Sequence, residues 1–182
     1  MVYILLADGF EEAEALVPAD LLRRADVSVA LVGVTGSVVT GAHGIAVCSD
    51  CPVEQVNTEE MEMLVVPGGL GGVQNVAASS AAMELVKKAA TDDKWLAAIC
   101  AAPSLVLGPA GLLKGRHAVC YPGMEDTMTG ALAQKECSVV VDGHIVTGEG
   151  PGAAFEFGLK LVEALKGGEI ARQVASDACW RH

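Results

Sequence analysis

The sequence is poor in aromatic and cationic residues. Only 4% of its 182 residues are aromatic, and 12 lysines and arginines stand against 23 aspartates and glutamates, a formal net charge of −11. An acidic chain without a basic stripe is a poor ligand for nucleic acid or for an anionic membrane surface, so we expect neither partner. The shortage of aromatic residues indicates a core of aliphatic side chains.

Long apolar runs are also absent from the sequence. No stretch approaches the roughly 20 apolar residues that a membrane-spanning helix needs. No basic segment precedes the first apolar stretch, residues 2–7, which is therefore expected to be a strand and not a signal peptide. The six cysteines are then expected to be reduced thiols of a cytoplasmic protein, with no disulfide framework.

Short apolar runs alternate with helical patterns along the chain, and this alternation predicts a parallel sheet with right-handed crossovers. The predicted strands are residues 2–6, 27–32, 63–66, 95–99 and 118–121, the hairpins pair 38–40 with 45–48 and 138–141 with 145–147, and the helices are 11–25, 79–90, 153–165 and 169–179. The prediction is a single α/β domain over residues 1–182. Its flavodoxin-like, doubly wound, mostly parallel sheet is sandwiched by helices and carries a small appended hairpin.

Cys100 stands where a predicted strand turns sharply into a new helix. Ala98 and Ala102 flank it at minus two and plus two, and Pro103 suits the first turn of the helix. Hydrolases place their nucleophile in the same small-x-nucleophile-x-small turn, because the tight elbow leaves no room for bulk. A helix N-terminus beside a thiol favours the thiolate. Cys100 is therefore the candidate nucleophile, and the alternative is an ordinary buried thiol.

The acidic stretch at residues 11–14 opens the first predicted helix. It can be read as a solvated, negatively charged first turn. Glu14, however, shares a helical face with Pro18 and Leu21, so its side chain is expected to point inward. A carboxyl beside a thiol has a raised pKa and stays protonated, which would let Glu14 donate a hydrogen bond to Cys100 and pass a proton to substrate.

A glycine-rich segment, residues 68–72, follows the third core strand. It lacks both the G-x-G-x-x-G pattern and the terminal Gly-Lys-Ser/Thr of nucleotide-binding loops. We expect instead that the backbone amides of Gly69 and Ala101 form an oxyanion hole. Because ligands bind beyond the carboxyl ends of parallel strands, loops 8–14, 67–75 and the Cys100 elbow should converge.

The other cysteines and the histidines give weaker signals. Cys48 and Cys51 have C-x-x-C spacing, but without a second pair or a nearby histidine this is weak evidence for zinc, and no metal site is predicted. The four histidines are spread along the chain, so a Cys-His dyad has no support from spacing. These histidines are His43, His117, His144 and His182.

Four segments in order at matching spacing resemble the ThiJ/PfpI superfamily, within it the branch of the Parkinsonism-associated deglycase. These segments are residues 9–20, 65–75, 97–104 and 148–165. The resemblance implies that Cys100 is the oxidation-sensitive nucleophile and Glu14 its hydrogen-bonding acid. It also implies a homodimer that uses the first helix and the hairpin near Cys48.

The resemblance further implies a cofactor-independent glyoxalase or deglycase that acts on 2-oxoaldehydes such as methylglyoxal or on glycated protein adducts. The alternative that it leaves open is a non-enzymatic sensor of oxidative stress, or chaperone, that reads the oxidation state of Cys100.

The sequence departs from the family pattern at two positions. Tyr121 stands where animal members carry a histidine near the thiol, so it is a candidate substrate-binding residue and not a base. Ala101 follows the cysteine where protease-like members have histidine, which argues against peptidase activity.

Overall fold

The computed structural model describes residues 1–181, and eleven strands and five α-helices lie within that range. The strands are β1 Val2–Leu6, β2 Val29–Gly33, β3 Val38–Thr40, β4 Ala46–Cys48, β5 Cys51–Pro52, β6 Met63–Val66, β7 Trp95–Ile99, β8 His117–Ala118, β9 Leu132–Ala133, β10 Val139–Asp142 and β11 Ile145–Gly148. The helices are α1 Glu12–Arg24, α2 Leu70–Ala78, α3 Ser80–Thr91, α4 Ala154–Lys166 and α5 Gly168–Asp177.

Seven strands form the central sheet in the order β10-β11-β7-β6-β1-β2-β5. Every neighbouring pair is parallel except β10 with β11, which forms an antiparallel hairpin at one edge. The β3-β4 hairpin is a separate two-stranded ladder. These pairings confirm the predicted α/β fold with its doubly wound, mostly parallel sheet and appended hairpin.

Helices cover both faces of the sheet. α2, α3 and a short helical segment at Pro103–Leu107, here called the elbow helix, pack on one face, and α1, α4 and α5 pack on the other. Successive side chains of a strand point to opposite faces, so Leu96 and Ala98 of β7 join the first core while Ala97 and Ile99 join the second. Cys100, at the end of β7, contacts both cores.

The structure departs from the prediction in a few elements. The glycine-rich segment that was expected to be a loop continues into α2, because glycine lets this helix lie directly against the β1 loop. A Cβ added at Gly72 would lie 2.6 Å from the Cα of Phe10. The strand predicted at 118–121 is reduced to β8, and the two-residue strands β5 and β9 were not predicted.

The core of the described chain is aliphatic, as the composition indicates, with Phe10 and Phe157 as its largest fully buried side chains. None of the helices within residues 1–181 combines the length and the apolar character that crossing a bilayer requires.

Candidate active site

Cys100 occupies a strained turn between β7 and the elbow helix. Its φ is +64°, in the left-handed region that non-glycine residues rarely adopt. Two backbone bonds hold it there: its N–H donates to the Gly148 carbonyl at 2.9 Å, and its carbonyl accepts from the Tyr121 N–H at 2.8 Å. The thiol is half-buried. The tight elbow expected from the small flanking residues is therefore present.

Glu14 brings a carboxyl from the first turn of α1 to this thiol. Its side chain is fully buried, and Oε2 accepts a 2.7 Å hydrogen bond from the Gly68 N–H. Oε1 is buried and takes no hydrogen bond from any of the residues that the structure describes. Burial raises the pKa of Glu14 to about 7, while the bond from Gly68 and the contact with Cys100 act in the opposite direction. The inward orientation of Glu14 agrees with the helical-face argument.

The thiol itself is not held ionised by its surroundings. Burial raises the pKa of Cys100 to about 12, and the negative charge of Glu14 adds to the rise, while the Gly69 and Ala101 amides lower it. The expected preference for the thiolate at a helix N-terminus is therefore outweighed here by burial and, while Glu14 is ionised, by the charge of its carboxylate. The physical reason is that the elbow helix has only five residues, a weak dipole against this desolvation. A proton on Glu14 removes the repulsion, so the two groups titrate as a coupled pair.

Glycines let three loops meet around the pair. The Gly68 carbonyl accepts from the Glu11 N–H at 2.9 Å, which fastens the α1 turn to the segment after β6. Gly69 has φ +82°, and a Cβ there would collide with the backbone of Gly9 and Phe10. The predicted site residues Cys100, Glu14, Gly69 and Ala101 are therefore brought together.

Tyr121 lies beside the elbow and not over the thiol. Its backbone N–H bonds to Cys100, while its ring lies near Gly150, where an added Cβ would be 3.5 Å from the ring. The side chain is 47% exposed, so the ring is available to a ligand. Tyr121 thus joins the edge of the site.

The histidines of residues 1–181 bond elsewhere. His117 lies 2.8 Å from the side-chain nitrogen of Gln134, and His144 lies 2.9 Å from Asp93. His182 is outside the described residues. All six cysteines within the described range are free thiols, and Cys48 and Cys51 lie on β4 and β5 away from the elbow.

Sequence reasoning missed a clamp between α1 and the β3-β4 hairpin. The carboxylate of Glu12 is almost fully buried; it accepts from the backbone N–H of His43 at 2.8 Å and lies 2.8 Å from the His43 ring nitrogen. Burial acts to raise the pKa of Glu12, but the hydrogen bonds that its carboxylate accepts outweigh burial, and the pKa is lowered. The same carboxylate raises the pKa of His43. The acidic run at 11–14 was the available signal, but its partner is distant in sequence.

Glu11, Glu12 and His43 place one potential metal-ligating atom each within 4.8 Å of one another. Because Glu12 is already committed to the hairpin, the structure explains this group without an ion.

A cysteine at a strand-to-helix elbow, with a buried acid and two backbone amides beside it at the edge of a parallel sheet, places this chain among the α/β proteins that have a sharp strand-to-helix elbow. The chain belongs to the DJ-1/PfpI family, whose model matches residues 1–164. This confirms the family that the four sequence segments indicated.

Relatives agree over nearly the whole chain. Protein DJ-1 homolog B of Arabidopsis thaliana is 37% identical over 181 residues, covering 99% of this chain, which in turn spans 41% of that protein. A protein named a deglycase from Pyrococcus abyssi is 36% identical over 166 residues, covering 91% of this chain and 99% of its own length.

Solved structures match equally well. Drosophila melanogaster DJ-1beta has a TM-score of 0.94 at 34% identity, covering 100% of this chain and 98% of its own. A structure described as Toxoplasma gondii DJ-1, oxidized, has a TM-score of 0.92 at 35% identity with the same coverage.

Gly68→Ala tests whether the close packing of Glu14 against Cys100 requires a residue without a side chain at position 68. The added Cβ would overlap the Glu14 carboxyl and the Cys100 Cβ, both confined by the core. We expect Tm to fall by about 2–10 °C. Gly71→Ala is the matched control, because its Cβ would have its nearest neighbour, Gly9 Cα, at 3.5 Å and alanine favours the α2 helix. Equal melting temperatures for the two variants would contradict this packing.

The clamp predicts a pH dependence of His43. Its pKa is raised by Glu12 first and Glu11 second. The ion pair of protonated His43 with the Glu12 carboxylate therefore contributes its full stabilisation below the histidine pKa of the unfolded chain, about 6.5. This contribution is lost as pH rises through the raised His43 pKa of the folded state. An NMR titration of the His43 ring should show a midpoint that moves down in Glu12→Gln but not in the control Glu59→Gln. An unchanged His43 midpoint in Glu12→Gln would contradict the contact between Glu12 and His43.

Proposed function

We propose that this protein is a cofactor-independent glyoxalase or protein deglycase that acts on 2-oxoaldehydes such as methylglyoxal through Cys100. The observation that carries the proposal is the coupled pair of Cys100 and Glu14, with two backbone amides at the same sulfur. The relative from Pyrococcus abyssi that is named a deglycase supports the reaction class.

The reaction begins from the state in which Glu14 holds the shared proton. The Cys100 sulfur adds to the aldehyde carbon, a carbon–sulfur bond forms, and Glu14 donates its proton to the carbonyl oxygen, giving a hemithioacetal. The Gly69 and Ala101 amides stabilise the negative charge that develops on that oxygen. A side chain with a pKa of about 7 suits this role, because it can give and take a proton near neutral pH.

The second stage moves hydrogen between carbons. Glu14, now a carboxylate, removes the proton from the carbon bonded to sulfur and returns it to the neighbouring carbon, while a hydroxyl proton passes between the two adjacent oxygens. The product is a thioester of a 2-hydroxy acid. Water then cleaves the carbon–sulfur bond, releases the acid and restores the thiol. The balance is one 2-oxoaldehyde and one water to one 2-hydroxy acid, with no external oxidant or reductant.

Early adducts of 2-oxoaldehydes with protein side chains would be a second substrate class. In such a hemiaminal the carbon–nitrogen bond breaks and the hydroxyl proton returns to the side-chain amine, which releases the aldehyde to the same addition by Cys100. We further propose that the protein acts as a cytoplasmic homodimer through α1 and the β3-β4 hairpin. In support, Val38 and Ile45 of this hairpin are more than half exposed, at 56% and 54%.

The turnover experiment uses the purified protein with methylglyoxal and no added glutathione. Cys100→Ser and Glu14→Gln should each lower kcat/KM by at least about 100-fold, because one removes the nucleophile and the other the proton carrier. Cys137→Ser removes an exposed thiol that the proposed chemistry does not use, so this matched control should keep the wild-type rate. Wild-type rates in both site variants would refute the scheme.

A second candidate function is a sensor of oxidative stress. It is favoured by the buried Oε1 of Glu14 beside the sulfur, which has no hydrogen-bond partner among residues 1–181. Two successive attacks of sulfur on hydrogen peroxide would form sulfur–oxygen bonds, break the peroxide bonds and release water, leaving a sulfinate. A protonated Glu14 and the Gly69 amide would then bond its oxygens. The relative described as oxidized DJ-1 from Toxoplasma gondii supports oxidation within the family.

Intact-mass measurement after mild peroxide treatment separates the two candidates. The sensor predicts a selective gain of two oxygens at Cys100, lost in Cys100→Ser and weakened in Glu14→Asp, whose shorter carboxyl sits farther from the sulfur. Negligible aldehyde turnover by the same preparation would favour the sensor. Indiscriminate oxidation of the exposed cysteines, with Cys100 unchanged, would exclude it.

A further inference from the structure

A cavity of about 390 Å³ opens next to the elbow, on the side of α4 and α5, and none of the reaction steps above uses it. Its walls include Tyr121, Glu149, Phe155, Glu156 and Trp180. The cavity is tied to the nucleophile through the backbone: Cys100 bonds to Gly148, one residue before Glu149, and to Tyr121. A ligand in this cavity would therefore lie next to the elbow, although Cys100 is not among the described residues that line the cavity.

One wall of the cavity is aromatic. The rings of Phe155 and Trp180 stack with centroids 5.7 Å apart and an interplanar angle of 12°. The exposed ring of Tyr121 stands at the same cavity. This local concentration is notable in a chain with only 4% aromatic residues. Flat aromatic faces attract planar cations through the ring quadrupole.

The other wall is acidic. The side chains of Glu149 and Glu156 are half-buried, and neither makes a hydrogen bond or ion pair within residues 1–181. No lysine or arginine is among the described residues that line the cavity. Lys160, one turn along α4 from Glu156, bonds instead to Glu163 at 2.8 Å. Within the described residues, both carboxylates therefore remain available to accept hydrogen bonds from a ligand.

We propose that this cavity binds the arginine side chain of a polypeptide. A guanidinium is planar, so it stacks on an aromatic ring, and its fork of donors matches a carboxylate. A compact ammonium matches the carboxylates but gains less from the rings. The two glutamates repel the α-carboxylate of a free amino acid, whereas a peptide-linked arginine has none. Binding is independent of the reaction proposed above, because it needs no turnover.

Isothermal titration calorimetry tests the ligand chemistry. N-acetyl-arginine N-methylamide should bind the wild-type protein, and the citrulline analogue, which has the same shape without charge, should bind at least about tenfold more weakly. Free arginine should bind more weakly than the blocked form. Equal binding of the citrulline analogue would overturn the guanidinium site. Tighter binding of free arginine would overturn the polypeptide as the source.

Variants of the protein locate the site. Glu156→Gln should weaken the binding of N-acetyl-arginine N-methylamide by about tenfold. Trp180→Leu should weaken this binding more than Trp180→Phe does, because phenylalanine keeps an aromatic ring. Glu84→Gln removes the same charge from α3, on the opposite face of the sheet, and should bind as the wild type does. Circular dichroism melting of each variant controls for folding. Equal losses in Glu84→Gln and Glu156→Gln would show that only overall charge is felt.

Discussion

The structure depends on a buried carboxyl held against a thiol. Ionisation of either group costs free energy here because both are buried. Ionising both at once costs more, because the two negative charges repel each other. The rise of the Glu14 pKa from 4.5 to about 7 corresponds to about 3 kcal/mol between its protonation states. The folded state therefore binds more protons than the unfolded state between these values, so this group's contribution to stability falls as pH rises through that window.

This constraint explains the arrangement of the surrounding chain. The Gly68 N–H offsets part of the burial of Glu14, and only glycine leaves room there for both side chains. The left-handed φ of Cys100 costs of order 1–3 kcal/mol, and backbone bonds to Gly148 and Tyr121 hold it in place. Strain at the elbow and desolvation of the pair are the two unfavourable free-energy terms that accompany the position of this sulfur at the end of β7.

Two electrostatic environments lie side by side at the elbow. Around Cys100 lie the Glu14 carboxyl and the backbone amides of Gly69 and Ala101. The adjoining cavity carries two carboxylates without partners in the described chain, together with aromatic faces. Tyr121 touches both regions, through its backbone on one side and its ring on the other.

Much of the fold was readable from local patterns. The strands Met63–Val66 and Trp95–Ile99 have the predicted bounds, because a buried parallel strand is a short apolar run that ends at turn residues. The convergence of the loops after β1, β6 and β7 followed from the rule that parallel strands end at one edge. The helix α2 was missed because its glycines are poor helix formers in isolation, and the contact with Phe10 that requires them is distant in sequence.

The sequence by itself determined the α/β class, the elbow at Cys100 and the inward face of Glu14, because each follows from neighbours within a few residues. The raised pKa of Glu14 was also expected from the sequence, whereas only the tertiary structure decided that the pKa of Cys100 is raised as well, since burial depends on every element packed around it. The same holds for the clamp of Glu12 on His43 and for the cavity that joins Tyr121 to Trp180. These features join residues distant along the chain, and no local pattern records such distances.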